Sequence, residues 1–347
     1  VGIGKKAKRA VTVDDIAARA GVSSAAVSFA LNGRKGVSEA TRTRILAIAD
    51  ELGWAPTSAA RALAGAKTHT IGLALARDPG NLGVESFYMQ FFAGIESELS
   101  RRDYGLLLQV VPDLDAELRA LRQWRRARRV DGAIIVDIRT HDPRIAELEK
   151  GAPLASIAVG DPAYVGSLPA VWTDDAAAMR EAVEALAALG HRRIARVGGT
   201  PELAHSRIRD EAFLAAVAQH ACTGVLLETD FSPERGVEAT RRALAGEDRP
   251  TAFVYDNDIM AIASLGEFAA AGLRVPEDAS VIAWDDSVIC RYTVPALTAL
   301  SHDVVGYGAH VARRLFQVMD EGASGAFLDS TPSLVLRGST GPAPARS

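Results

Sequence analysis

Apolar positions first recur at helical spacing: Ile16, Ala17 and Ala20, then Val27, Ala30 and Leu31, then Ile45, Ile48 or Ala49, and Leu52. Three short helices are predicted. Thr12 is placed to cap the first, with Asp15 three residues on. Gly21 ends that helix, Val22 plugs the turn, and Ser23 caps the second helix. Ser24, Ala25, Ser28 and Phe29 then fall on the outer side of the second helix. The third runs from its cap Ser38 to about Leu52, with Arg42 and Arg44 facing away from the stripe, and Gly53 stops it. So thin a core needs a cover, and Trp54 is placed to supply one.

After Pro56, TSAARALAG offers eight good helix formers before Gly65. A helix that short is marginal alone in water. Residues 66–69 read as a linker. From Thr70 the pattern changes to apolar runs alternating with amphipathic segments. Strands are predicted at 71–75, 106–111, 132–136, 154–159, 171–173, 194–197, 225–227, 252–255, 280–284 and 297–300. Helices are predicted at about 87–102, 115–128, 175–189, 207–219, 233–245, 258–272 and 304–320. Continuously apolar strands separated by helices mean parallel sheets covered on both faces. So many strands fit two doubly wound lobes better than one sheet, with ligands at the carboxyl ends of the strands. The expected class is α/β: a three-helix headpiece, a hinge helix, then a two-lobed core.

The first two helices have the form of a helix-turn-helix, which presses its second helix into a DNA major groove. Charge distribution agrees. Residues 1–65 carry ten Lys or Arg against five Asp or Glu, whereas the other 282 carry 29 against 38. A basic head on an acidic body directs only the head to a polyanion. Lys5, Lys6, Lys8 and Arg9 form a basic arm with no apolar stretch behind it, so a signal peptide is not expected. No run reaches the roughly 18 apolar residues of a membrane span. Cys222 and Cys290 make no metal or disulfide pattern, and a cytoplasmic protein with free thiols is expected. No phosphate-loop, dinucleotide, zinc-protease or nucleophile-elbow motif is present, and the histidines are scattered with no evident partners, His191 being read as structural. Neither catalysis, a cofactor nor a metal is expected.

Taken together, TVDDIAARAGVSSAAVSFALN, VSEATRTRIL, PTSAARALAG followed by TIGLAL, LGHRRIARVGG, SRIRDEAF, YDNDIMAIAS and VIAWDDS resemble the LacI/GalR family of bacterial transcriptional regulators over nearly the whole chain. The resemblance implies a repressor that binds a palindromic operator as a homodimer. Its core would be like that of periplasmic binding proteins and would be controlled by a small molecule, by default a sugar. The implied organisation is a basic arm (1–11), a DNA-binding domain (12–55), a hinge helix (56–65), a linker (66–69), a core (70–338) and a tail (339–347). Within the core, 70–171 and 302–329 form one lobe and 172–301 and 330–338 the other. A cytoplasmic sugar-binding protein without a DNA role is the alternative.

Carried onto this chain, the family's DNA contacts fall on Thr12, Ser23, Ser24, Ala25, Ser28, Phe29 and Arg42. The hinge adds Thr57, Ala60, Arg61 and Leu63, with Leu63 matching an intercalating leucine and Arg61 read as a phosphate contact. The family usually has an Arg where this chain has Phe29 and a Thr where it has Ala26, which implies a different operator. Effector ligands fall on Arg209, Asn257, Asp285 and the stacking aromatic Phe231, joined by Phe87, Tyr88 and Asp137. Asp258 is expected to cap the helix it begins. Ala76, Val136 and Ala158 stand where sugar-responsive members carry polar groups.

Overall fold

The computed structural model describes residues 11–31, 34–54, 67–150 and 153–345. They form two compact units, one holding the N-terminal helices and the other both sheets. The basic arm and the hinge residues Thr57, Ala60, Arg61 and Leu63 lie outside the described residues.

In the first unit, α1 (Val13–Ala20), α2 (Ser24–Leu31) and α3 (Glu39–Glu51) enclose a core of Ile16, Val27, Ala30, Ile45 and Ala49. Thr12 and Asp15 form a reciprocal capping box, and Gly21 ends α1 in the left-handed conformation. Val22 is only partly buried, and Trp54 packs beside it at the edge of this core.

The second unit contains two six-stranded sheets. The first draws on β1 (Thr70–Ala76), β2 (Gly105–Val111), β3 (Gly132–Ile135), β4 (Ala155–Val159) and β5 (Ala170–Thr173). Its helices are α4 (Pro79–Val84), α5 (Ser86–Ser100), α6 (Leu114–Ala127) and α7 (Pro143–Lys150). The chain then crosses through α8 (Asp175–Ala188) to β6 (Arg193–Gly198), α9 (Ala204–Gln219), β7 (Thr223–Glu228) and α10 (Pro233–Leu244). β8 (Ala252–Tyr255), α11 (Asp258–Ala270), β9 (Ser280–Trp284) and β10 (Thr298–Ser301) complete that passage. It returns through α12 (Val304–Glu321) to β11 (Ala326–Ser330), and crosses again to β12 (Ser333–Val335). The orders are β11-β5-β4-β3-β1-β2 and β12-β10-β9-β8-β6-β7, parallel throughout except for β12 against β10. The chain crosses between the lobes after β5, β10 and β11.

Four elements were not foreseen. α4 is PGNLGV, started by Asp78 and Pro79, and too short for any periodicity. α7 is a single eight-residue stretch. β11 and β12 are edge strands without a continuous apolar run, and no residue of either is fully buried. Two boundaries also move. His69, expected in the linker, donates its backbone N–H to Asp131 (2.8 Å) and stacks on Tyr104. Residues 339–343, expected as a tail, are tied into the second lobe. Ser339 accepts from Thr298 N and donates to Val281 O, and Ala343 N–H donates to Leu189 O. His191 is structural as expected, contacting Thr251, Ser280 and the Gly341 carbonyl. No helix among the described residues is long and apolar enough to cross a membrane.

Candidate functional site

The headpiece offers one exposed helical face. Ser24 and Ala25 are exposed, and Phe29 retains 38% of its surface against the side of Gly36. Phe29 is therefore not a core residue. Several hydroxyls on this unit are already engaged. Ser24 Oγ donates to Asp14 (2.6 Å), while Thr12 Oγ1 donates to Asp15 (2.7 Å) and accepts from its N–H. Ser23 Oγ accepts from Ala26 N as the cap of α2. Arg42 lies off the apolar stripe, as expected; it is partly exposed, and its Nη2 donates to the Arg34 carbonyl at 2.8 Å. The fork holds the turn before α3.

In the core, the carboxyl ends of β1, β3, β4, β8 and β9 converge on a cavity of about 130 Å³ between the lobes. An engineered apolar cavity of roughly 150 Å³ holds one benzene, so this space suits a single small ring. Phe87, Tyr88, Asp137, Arg209, Phe231, Asn257 and Asp285 all line it. Asp137, Phe231 and Asp285 have φ of 50°, 69° and 66°. Left-handed backbone at a residue other than glycine costs about 1–3 kcal/mol and persists where the surroundings enforce it. Here it turns three side chains into one cleft. Gly199 makes room for Phe231, since a Cβ there would lie 1.9 Å from the ring.

On the first lobe, Asp137 accepts from Tyr88 Oη (2.7 Å) and Arg77 Nε (3.0 Å). Burial pushes its carboxyl up, but Arg77 and the Tyr88 hydroxyl, with further positive groups, hold it below the ordinary range. Arg144, 1% exposed, donates to the Asp137 carbonyl and to Glu117 and Asp142, fixing that turn.

On the second lobe, Arg209 was expected to fork a ligand. Its Nε and Nη1 instead donate at 2.8 Å each to Asp175 and Asp256, and its guanidinium lies 3.6 Å from the Trp284 ring centre. Asp256 also accepts from both terminal nitrogens of Arg196 and from Gly199 N–H. Burial opposes its charge, but Arg196 and Arg209 drive its pKa far below the usual range. The expected roles of Asn257 and Asp258 are exchanged. Asn257 caps α11, accepting from Met260 N–H (2.8 Å) and donating to the Phe231 carbonyl (2.9 Å). Asp258 faces the cavity, with Ser86 Oγ of the other lobe 3.4 Å away. Burial raises its carboxyl, and burial together with Asp258 raises that of Asp285 well above the ordinary range.

Sequence reasoning missed Arg77, Glu85, Asp175, His205, Asp256 and His302, all of which line the cavity. Arg77 and His302 each lie two residues beyond a predicted strand, close to where side chains enter such clefts, so both were within reach of the sequence. His302 adjoins Phe87 and Tyr307, and neither of its ring nitrogens has a hydrogen-bond partner among the described residues.

A two-lobed core with a cleft between its lobes, in one chain with a helix-turn-helix, has the make-up of a DNA-binding regulator. Comparison with known proteins gives the family. Residues 12–57 match the model of bacterial regulatory proteins of the lacI family, and 183–340 match a periplasmic binding protein-like domain. The HTH-type transcriptional regulator CelR of Thermobifida fusca is 31% identical, over 89% of this chain and 92% of its own. The lac repressor dimer bound to operator and the anti-inducer ONPF superposes with a TM-score of 0.83 at 27% identity, covering 96% of this chain and 100% of that one. A CelR–cellobiose complex gives 0.72 at 27% identity, covering 95% and 99%. The chain belongs to the LacI family and is a transcriptional regulator.

Proposed function

We propose that this regulator acts in the cytoplasm as a homodimeric repressor, binding a palindromic operator under the control of a small polyhydroxylated effector between its lobes. The observation that carries the reading is the cleft: the four family-matched positions Arg209, Phe231, Asn257 and Asp285, with the further candidates Phe87, Tyr88 and Asp137, line one ring-sized cavity from both strand ends and helices. The lac repressor dimer on its operator and CelR with cellobiose support the same assignment by likeness.

Ser23, Ser24, Ala25, Ser28 and Phe29 present the groove-facing surface. It has no long donor, so readout rests on hydroxyls and on apolar contact with thymine methyls. Thr12 secures the start of α1, and Arg42 positions the turn rather than a phosphate. Thr57, Ala60, Arg61 and Leu63 form a minor-groove segment, with Leu63 unstacking a base step. Effector binding re-angles the lobes across the crossings after β5, β10 and β11 and so shifts the operator-competent population.

The test is an electrophoretic shift of DNA flanking the protein's own gene, with and without sugars. A retarded band whose midpoint moves with one sugar class supports the reading; indifference to every flanking duplex refutes it. Footprinting a Phe29→Ala variant checks the groove assignment, since an unchanged base preference removes it.

A further inference from the structure

The cavity is short of positive charge. Seven carboxyl groups line it against two guanidinium groups. Both guanidinium groups are committed: Arg77 to Asp137 and, at 3.6 Å, to Glu85, and Arg209 to Asp175 and Asp256. Arg196, behind the wall, is shared between Asp210 and Asp256. Asp161 is occupied in capping a turn through Ala163 N–H. Asp258 and Asp285 are left without a cation, and Glu85 keeps only the 3.6 Å contact with Arg77. Glu85 is 8% exposed, and among the described residues its buried Oε1 accepts no hydrogen bond. Asp258 is 2% exposed and is met only by neutral donors, the Ser86 and Ser287 hydroxyls and the Ile259 N–H. No hydrogen bond reaches the Asp285 carboxylate from the described residues.

The histidines do not fill the deficit. Burial lowers His302, and burial with Arg209 beside it lowers His205 to about 4, so both rings are neutral near pH 7. Burial, assisted by neighbouring carboxylates, raises Glu85 to about 7 against the pull of Arg77, and raises Asp285 well above the ordinary range.

We propose that the effector is itself a cation: a compact polyhydroxylated amine of the amino-sugar class, its ammonium lying among Glu85, Asp258 and Asp285. This rests on the reading of the cleft as the effector site and narrows it. Hydroxyl groups alone satisfy the carboxylates as acceptors but leave their charge. A carboxylated or phosphorylated sugar meets no uncommitted cation. Phe87 and Tyr88 add ring faces, which favour an ammonium over a neutral group.

The test is calorimetric titration of the full chain near neutral pH with three matched sets. These are glucosamine, galactosamine and mannosamine; the parent hexoses glucose, galactose and mannose; and glucuronate and galacturonate. The expected result is one amine bound at least about tenfold tighter than its parent hexose. Proton release should show as a heat that depends on the buffer, because an ammonium lowers the carboxyl pKa values. Asp285→Asn should erase the preference. Asparagine tolerates the left-handed backbone there, and Glu85→Gln serves as a second probe. A hexose or uronate bound as tightly as its amine, or no binding by any amine, overturns the proposal. Binding by hexoses or uronates alone leaves the effector cleft standing, whereas silence from all three sets removes that reading too.

Discussion

Asp256→Asn tests the electrostatic frame of the second lobe. Asp256 is 2% exposed, and its carboxylate faces Arg196 at 2.9 and 3.1 Å and Arg209 at 2.8 Å. Arg196 is fully buried. The amide keeps one acceptor oxygen for Gly199 N–H but points an NH₂ group at guanidinium donors. Removing one member of a buried ion pair costs about 3–5 kcal/mol, because the partner charge is left uncompensated. Each kcal/mol lowers the Tm of a domain of 150–250 residues by about 2–4 °C. The core unit is somewhat larger than that range, so the lower slope applies and the variant should melt about 6–10 °C below wild type in calorimetry. Asp210→Asn is the control. It contacts the same Arg196 at 2.6 Å, but its side chain is 20% exposed, so water replaces part of the loss. Its effect should be less than half as large. The pH dependence has a fixed sign. A carboxylate depressed in the folded state stabilises fully above its unfolded pKa of about 3.9 and loses that contribution as pH falls toward its folded value. The gap between wild type and Asp256→Asn should be constant from neutral pH to about pH 5 and narrow below it. A gap under about 2 °C at neutral pH would refute the argument that these charges depend on one another.

Thr12→Ala removes the side-chain half of the capping box, leaving the Thr12 N–H bond to Asp15, and should lower headpiece stability by about 1 kcal/mol in denaturant titration, with the core transition unchanged. Gly94→Ala places a methyl 2.0 Å from the Val305 carbonyl, where α5 and α12 touch backbone to backbone; a loss of about 1–3 kcal/mol in the core is expected, and a neutral result contradicts the contact. Glu85→Gln carries the opposite pH sign to Asp256. Its folded pKa is raised from 4.5 to about 7, so stability present at low pH is lost as the group ionises. The variant should out-melt wild type at about pH 8 and match it at about pH 4.

The periodicity of Ile16, Val27 and Ile45 was enough for the headpiece, because local helices with caps such as Thr12 and Gly21 carry their own signals. The ten predicted strands were legible for a similar reason. Most of them lie inside the sheets, and a strand buried on both faces is apolar along its length, a pattern that survives without knowledge of its neighbours. The edge strands β2 and β7 still carry apolar runs, whereas β11 and β12, with no fully buried residue, left no such trace. The cleft was legible as a place, since strand ends predict it, and as a set of residues where family motifs named them.

What each cleft residue does was decided only in three dimensions. Sequence shows an Asn-Asp pair at the start of α11; only the approach of Phe231 and Met260 makes Asn257 the cap and leaves Asp258 to the cavity. Arg209 reads as a free fork until Asp175, 34 residues away, and Asp256, 47 away, close on it. Charge compensation and burial depend on distances between residues remote in the chain, so local pattern fixes elements but not their electrostatic partners. The sequence thus determined a reader and a two-lobed core, while the tertiary structure decided which carboxylates in that core are left without a cation.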